Sequence, residues 1–256
     1  MLTPPVPEDV EVWTVPLDTA PGPAPPVLGA LLDDEERARA RRLPDPIRRS
    51  RFVTAHAALR TVVGSRVGRP PEAVRFTRGP NGKPEPAYGN GLFVSLSHSH
   101  GIALVALAAR PVGVDVELPA GASVATRIAE RCFPPDEFRA VAAAPAGRGP
   151  DGRAAVFARL WTRKEACVKA EGGRLGQGLG LWVLGGPGPL TVHGRGGALT
   201  GPWRVADLAP APGYAGAVAL SGSGPFRVVS RCWQPPVGVG GGEKSTTIME
   251  LSPAIT

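Results

Sequence analysis

Long apolar runs are missing from this chain of 256 residues, and no stretch approaches the roughly 20 residues that a membrane-spanning helix needs. Its first residues, Met1-Leu2-Thr3-Pro4-Pro5, carry neither the basic nor the apolar segment of a secretory leader, so a cytoplasmic location is expected. Cysteine is scarce. Cys132, Cys167 and Cys232 are odd in number and far apart, which excludes a disulfide framework and a zinc cluster and points to the same compartment. Aromatic residues make up only 5% and are not interleaved with the basic ones, as the stacking platforms of a nucleic-acid binder require. Lysine is nearly absent too: 25 of the 29 basic residues are arginine, leaving Lys83, Lys164, Lys169 and Lys244. Against that background a lysine marks a place where a compact ammonium is wanted.

What is present suits an ordered enzyme-sized unit. A hydrophobic content of 43% supports a real core, in one large domain or two of about 125 residues. Glycine (34) and proline (30) form a quarter of the chain, which predicts loop-rich connections. The net charge of +7 favours a polyanionic partner: nucleic acid, a phosphorylated cofactor or an acidic protein.

Along the chain, 10–15 alternates with period two and reads as a strand. A helix opens at Leu31-Leu32-Asp33-Asp34-Glu35-Glu36 and closes on arginines before Pro44, acids first and bases last as the helix dipole prefers. Ile47, Phe52, Ala55, Leu59 and Val62 predict a second helix ending near Gly64 or Gly68, with Arg48, Arg51 and His56 on its polar face. Residues 93–97, 102–108 and 112–118 then read as three strands with tight links, an antiparallel meander. Helices are expected at about 124–132, 136–144 and 154–171, with a mobile Gly/Pro-rich loop over 145–153 and short strands between 181 and 233. The pattern of 217–220 and 226–229 echoes that of 102–107 and 112–116, which suggests two similar α+β halves, 1–118 and 119–234, followed by a disordered tail over 235–256.

Three constellations carry chemistry. In Pro111-Val112-Gly113-Val114-Asp115-Val116-Glu117 the valines fall on one strand face and Gly113, Asp115 and Glu117 on the other, two carboxylates about 7 Å apart at the backbone. They are either solvated acids on an edge strand or a pair that wants a cation between them. In Trp161-Thr162-Arg163-Lys164-Glu165-Ala166-Cys167-Val168-Lys169 the residues Trp161, Glu165 and Lys169 share one helix stripe, where Glu165 and Lys169 also have the order of a surface ion pair. If the face is covered, Asp115, Glu117 and Glu165 form the hard, incomplete oxygen shell that Mg²⁺ accepts when phosphate oxygens complete it. Third, Phe93-Val94-Ser95-Leu96-Ser97-His98-Ser99-His100-Gly101 runs a strand into two histidines, open to a metal pair, a nucleophilic serine or a core histidine. Upstream, Asn81-Gly82-Lys83-Pro84 is a turn whose lysine is held by a rigid proline.

Taken together, His98, the Gly-x-Asp-x-Glu strand seventeen residues on, the Trp-x-x-Lys-Glu-Ala-x-x-Lys helix and the preceding Gly-Lys-Pro resemble the Sfp-type 4′-phosphopantetheinyl transferases over about residues 30 to 185. The resemblance implies a pseudo-twofold pair of α+β halves with antiparallel sheets, coenzyme A between them, and a single-chain monomer rather than the short trimeric type. It implies Asp115, Glu117 and Glu165 as ligands of Mg²⁺, with Mn²⁺ as an alternative, and Lys169 against the phosphates. Lys83, Pro84, Ser97 and His98 would line the coenzyme A pocket, His98 near the 3′-phosphate, and Arg39 and Arg51 would meet its phosphates. One departure stands out: Glu36 occupies the first of two positions where relatives place basic residues, with Arg37 beside it as a substitute.

The activity implied is transfer of the phosphopantetheine arm to a serine of an apo acyl or peptidyl carrier protein of polyketide, peptide or fatty-acid synthesis. Glu165 is the candidate base, with Lys169 and Asp115 beside the reacting phosphate. Competing readings are an inactive coenzyme A-binding module and a basic divalent-metal enzyme acting on nucleic acid; no nucleic-acid or membrane partner is expected.

Overall fold

Valine alternation forms the first strand, and the local signals that follow set the order of elements. The structure, a computed structural model, describes residues 8–18, 24–79, 81–88, 91–147, 149, 151–186, 188–194, 199–235 and 249–250. Its elements are β1 (Glu8–Pro16), α1 (Pro26–Ala30), α2 (Asp34–Arg41), α3 (Pro46–Val67), a 3₁₀ turn (Pro71–Ala73), β2 (Phe76–Arg78), β3 (Pro84–Pro86), β4 (Phe93–Ser99), β5 (Ile102–Ala108), β6 (Val112–Glu117), α4 (Ala122–Cys132), α5 (Pro135–Ala143), α6 (Arg153–Ala170), α7 (Leu175–Gly178), β7 (Leu190–Val192), β8 (Trp203–Leu208), β9 (Ala215–Ser221), β10 (Phe226–Cys232) and β11 (Met249–Glu250). Helix ends follow their capping residues. Asp45 accepts a hydrogen bond from the Ile47 amide at the start of α3, Pro46 presets the first turn, and Gly68 closes the helix in the left-handed conformation at φ 67°.

This is an α+β fold with antiparallel sheets. One sheet has the order β11-β10-β1-β5-β4, the second β6-β9-β8-β7, and β2 and β3 form a separate hairpin; β1 and β10 form the one parallel backbone ladder among the described strands. Period two decides which face each residue serves. Ala103, Val105 and Leu107 of β5 pack with Leu59 and Val63 of α3, whereas Ala217 and Ala219 of β9 pack with Leu160 and Cys167 of α6. The opposite faces meet each other. Leu104 and Ala106 join Val112, Val114, Val116, Val218 and Leu220 in a third buried cluster that cements the two sheets. No helix among the described residues is long and apolar enough to cross a membrane.

Three expectations need correction. The meander does not close: β4 and β5 pair, but β6 pairs with β9 instead, from Val112↔Leu220 to Glu117↔Ala215. A tight link leaves open which edge the next strand takes, and the edge of β6 is claimed by a strand a hundred residues away. The internal echo is thereby explained, because β5 to β6 crosses from the first sheet to the second and β9 to β10 crosses back. His56 does not lie on a polar face of α3; it is 9% exposed and bonds Glu36. The tail contributes a strand, Met249–Glu250 pairing its backbone with Arg231 and Cys232, because β10 would otherwise end the sheet with unpaired amides. The rest of the tail past residue 235, and residues 148 and 150 of the expected 145–153 loop, lie outside the described residues.

Candidate active site

The site begins with a glycine. A Cβ at Gly113 would stand 2.0 Å from the Ala166 carbonyl oxygen and 2.4 Å from the Ala170 nitrogen, so only glycine lets β6 lie directly on the backbone of α6. Val112, Val114 and Val116 turn away into the inter-sheet core, each fully buried, and Asp115 and Glu117 turn toward the helix side. On α6 the stripe of Trp161, Glu165 and Lys169 is half-buried, with the Trp161 ring tilted against Phe157 and Phe133 at 5.5 and 6.3 Å between centroids. The adjacent stripe is wholly internal: Lys164 pairs at 2.6 Å with Glu137, both fully buried, and Arg163 is clamped by Asp207.

Lys169 does not form the helical ion pair with Glu165. Its Nζ reaches across to Asp115 Oδ1 at 2.5 Å and Ser97 Oγ at 2.9 Å, and Ser97 in turn donates to the same Asp115 oxygen at 2.7 Å. Asp115 is 2% exposed, and its other oxygen, Oδ2, is buried without a hydrogen-bond partner. Glu165 is pushed up to about 7 by burial and by the Asp115 charge. Glu117 is pushed up as well, again by burial and then by Asp115, although Ser99 donates to it at 2.9 Å. Three carboxylates thus share one ammonium. Among the described residues no three metal-binding side chains are gathered closely enough to hold an ion by themselves. The donor set nonetheless suits one: all-oxygen, mutually repelling, with a buried carboxylate oxygen that nothing satisfies.

Beside these groups lies a cleft of about 240 Å³, bounded by Glu165 and Lys169 of α6, by Lys83 and Pro84 at the tip of the β2–β3 hairpin, and by Leu96 of β4. The glycine turn Gly172-Gly173 after α6 forms its floor. Lys83 lines the cleft, but its ammonium is spent on two carbonyls, Val112 at 3.0 Å and Ala170 at 2.8 Å, and burial lowers it to about 8. It is a staple joining the hairpin to the start of β6 and the end of α6. Asn81 extends the staple by donating to the Gly172 carbonyl at 2.7 Å. Lys83→Met is therefore expected to lower stability by about 2 kcal/mol, the scale of a lost charged hydrogen-bond set. Thermal melting checks it; an unchanged melting temperature with weakened ligand binding would mean that the ammonium serves ligand alone.

At the other end, basic side chains converge around His98. His98 is exposed to solvent at its edge, yet its imidazole is lowered by partial desolvation and then by the charges of His56, Lys169, Arg39 and Arg48. Arg39 stands over the Phe52 ring at 5.4 Å, and Phe52 stacks on His56 at 4.1 Å. Arg51 is committed elsewhere, in a two-pronged pair with Asp18 at 2.9 and 2.7 Å. Glu36 is a structural acid rather than a failed phosphate grip: it caps α2 reciprocally with Asp33 and accepts from His56 at 2.8 Å and buried Arg60 at 2.5 Å. Those bonds outweigh its burial and hold it below the usual carboxylate range. Arg37, the expected substitute, is used locally on Asp34 and the Leu32 carbonyl.

Of the residues expected from the sequence, Asp115, Lys169 and Ser97 are in direct contact, Glu117 and Glu165 stand near enough to feel the Asp115 charge, and Lys83, Pro84, Glu165 and Lys169 line one cleft. Sequence reasoning misses Ser95, Ser99 and the Glu36–His56–Arg60 network. The serines have a signal: Ser95, Ser97 and Ser99 alternate on one strand face, and all three are buried. The network has none, since Glu36 and Arg60 are 24 residues apart.

Comparison with known proteins follows the same residues. A family model described as the 4′-phosphopantetheinyl transferase superfamily matches residues 111–194, which hold β6 and α6. The 4′-phosphopantetheinyl transferase HetI of Nostoc sp. is 31% identical over 233 residues, 89% of this chain and 91% of that protein. The 4′-phosphopantetheinyl transferase psf-1 of Bacillus pumilus is 32% identical over 145 residues, covering 57% and 60%. A 4′-phosphopantetheinyl transferase of Bacillus subtilis is 27% identical over 152 residues, covering 59% and 63%.

Proposed function

Because this chain belongs to the 4′-phosphopantetheinyl transferase superfamily, enzymes that move phosphopantetheine from coenzyme A to carrier proteins, we propose that it modifies a serine of an apo acyl or peptidyl carrier. The other product is adenosine 3′,5′-bisphosphate. Coenzyme A would lie along the cleft, its pyrophosphate toward Lys169 and its 3′-phosphate toward His98, Arg39 and Arg48. The observation that carries this reading is the buried, unsatisfied Oδ2 of Asp115 beside two carboxylates whose protonation is already favoured by burial and repulsion.

Asp115, Glu117 and Glu165 would hold Mg²⁺, or Mn²⁺, which when bound supplies positive charge to the pyrophosphate. The chain's own side chains do the rest. Lys169, held in place by Asp115 and Ser97, meets the charge that develops on the departing phosphate. Glu165, beside the cation, is the carboxylate placed to take the proton from the carrier serine. The carrier would dock beside Glu117, where Leu118 and Val124 are exposed and Arg127 and Arg131 stand in solvent, an apolar contact ringed by charge that suits an acidic helix.

The experiment is direct: incubate the protein with labelled coenzyme A, Mg²⁺ and a panel of apo carriers at low and high salt. Label on a carrier serine, faster at low salt, is expected. Metal and coenzyme A binding without labelling of any carrier would favour an inactive binding module. Dephospho-coenzyme A is expected to bind about tenfold more weakly than coenzyme A, consistent with one or two lost charged contacts. His98→Ala should shrink that gap in calorimetry, and equal affinity for the two ligands would remove the 3′-phosphate from this end.

A further inference from the structure

The two sheets meet at strands β4 and β6, and no backbone ladder joins them. Serine hydroxyls take its place. Ser95 Oγ accepts from the Val114 amide at 3.1 Å, Ser97 Oγ donates to Asp115, and Ser99 Oγ accepts from the Leu118 amide at 3.2 Å while donating to Glu117 Oε2 at 2.9 Å. Partner numbers rise together along both strands, so β4 and β6 run parallel, stitched at every second residue. A buried hydroxyl without a partner is costly, and here each hydroxyl has one across the seam.

The three stitches are not equivalent. Among the described residues Ser95 Oγ bonds only to backbone. Ser99 has a single proton, and of its two possible acceptors Glu117 Oε2 at 2.9 Å is closer than His100 Nδ1 at 3.3 Å, which assigns the proton to the carboxylate; among the described residues Ser99 is the only hydrogen-bond donor to Glu117. We propose that Ser99 is a positioning residue that fixes the Glu117 carboxylate for the divalent cation, while Ser95 serves the seam alone. The inference rests on the metal-binding reading of Glu117 given above. A donor behind a ligating carboxylate sets which oxygen and which lone pair face the ion, and removing such a partner typically costs metal affinity at about the tenfold level.

Full-length wild type, Ser95→Ala, Ser99→Ala, Ser99→Thr and Glu117→Ala are titrated with Mn²⁺ in the presence of coenzyme A. Free Mn²⁺ is read by electron paramagnetic resonance, the binding of coenzyme A alone is subtracted, and melting temperatures are recorded in parallel. Ser95→Ala and Ser99→Ala are both expected to melt lower, since each loses a stitch. Only Ser99→Ala should bind Mn²⁺ about tenfold more weakly, and Ser99→Thr, which keeps the hydroxyl, should recover most of the affinity. If Ser99→Ala does not fold, Ser99→Cys replaces it, with the same loss expected from its weaker donor. Mn²⁺ affinity in the Ser99 variant equal to that of Ser95→Ala overturns the inference. An affinity untouched by Glu117→Ala overturns the metal reading itself, and the inference with it.

Discussion

Asp115→Ala and Glu165→Ala are each expected to lower transfer by about 10³-fold, the scale for losing a base or a charge-stabilising group, while the fold survives. Neither side chain belongs to the apolar core, although Asp115→Ala gives up the Ser97 bond across the seam. The valines of β6 and the inner stripe of α6 form that core, on faces these acids do not occupy. Glu165 adds a test that activity alone lacks. Its folded value of about 7 lies above the unfolded one, so the stability linked to it is complete below about 4.5 and is lost as pH rises through 7. The shift bounds the effect at about 3 kcal/mol, and half-exposure reduces that to about 1. Without divalent cations, Glu165→Ala should therefore melt above wild type at pH 8, with the gap closing toward pH 5. A gap that does not change with pH would mean that Glu165 is not crowded by Asp115, and near-normal turnover would remove it from the reaction.

Gly113→Ala should do comparable damage by a different route. One methyl group would be driven into the backbone of α6 at Ala166 and Ala170, which no rotamer change relieves. Strand and helix must separate, at the upper end of overpacking costs, about 3 kcal/mol. For a chain of this size that corresponds to a fall in melting temperature of roughly 6 to 12 °C. Activity should fall further than stability suggests, by about 10²-fold in the fraction that remains folded, because Asp115 moves away from Lys169 with its strand. A variant that melts lower yet turns over normally would show that the contact of β6 with α6 is structural only.

Why Gly113 precedes the acids is not visible in the strand's own pattern. Alternation places Gly113, Asp115 and Glu117 on one face, and that much survives. Alternation says nothing of what the face meets, and α6 begins some forty residues later. The same distinction separates Lys169 from its expected partner. Helical spacing offers it Glu165, but Asp115 is nearer to a fixed, desolvated position and takes the ammonium. Lys83 shows the reverse case: the turn motif is legible, whereas its use as a staple depends on two carbonyls from β6 and α6.

The sequence by itself determined most of the elements and the alternation of faces along β4 and β6, since these depend on short-range backbone geometry and periodicity. β1, α3, β4 to β6, α4, α5 and α6 all fall where period and capping residues put them. Only the tertiary structure decided which strand pairs with which, and hence that β6 leaves β5 for β9 and is stitched to β4 by serines. It also decided which charged groups are spent on one another, as Arg51 is on Asp18, and Glu36 on His56 and Arg60. Pairing and charge neutralisation are won by competition among distant segments for buried hydrogen bonds. That competition is settled when the core closes, and local patterns in the chain do not record its outcome.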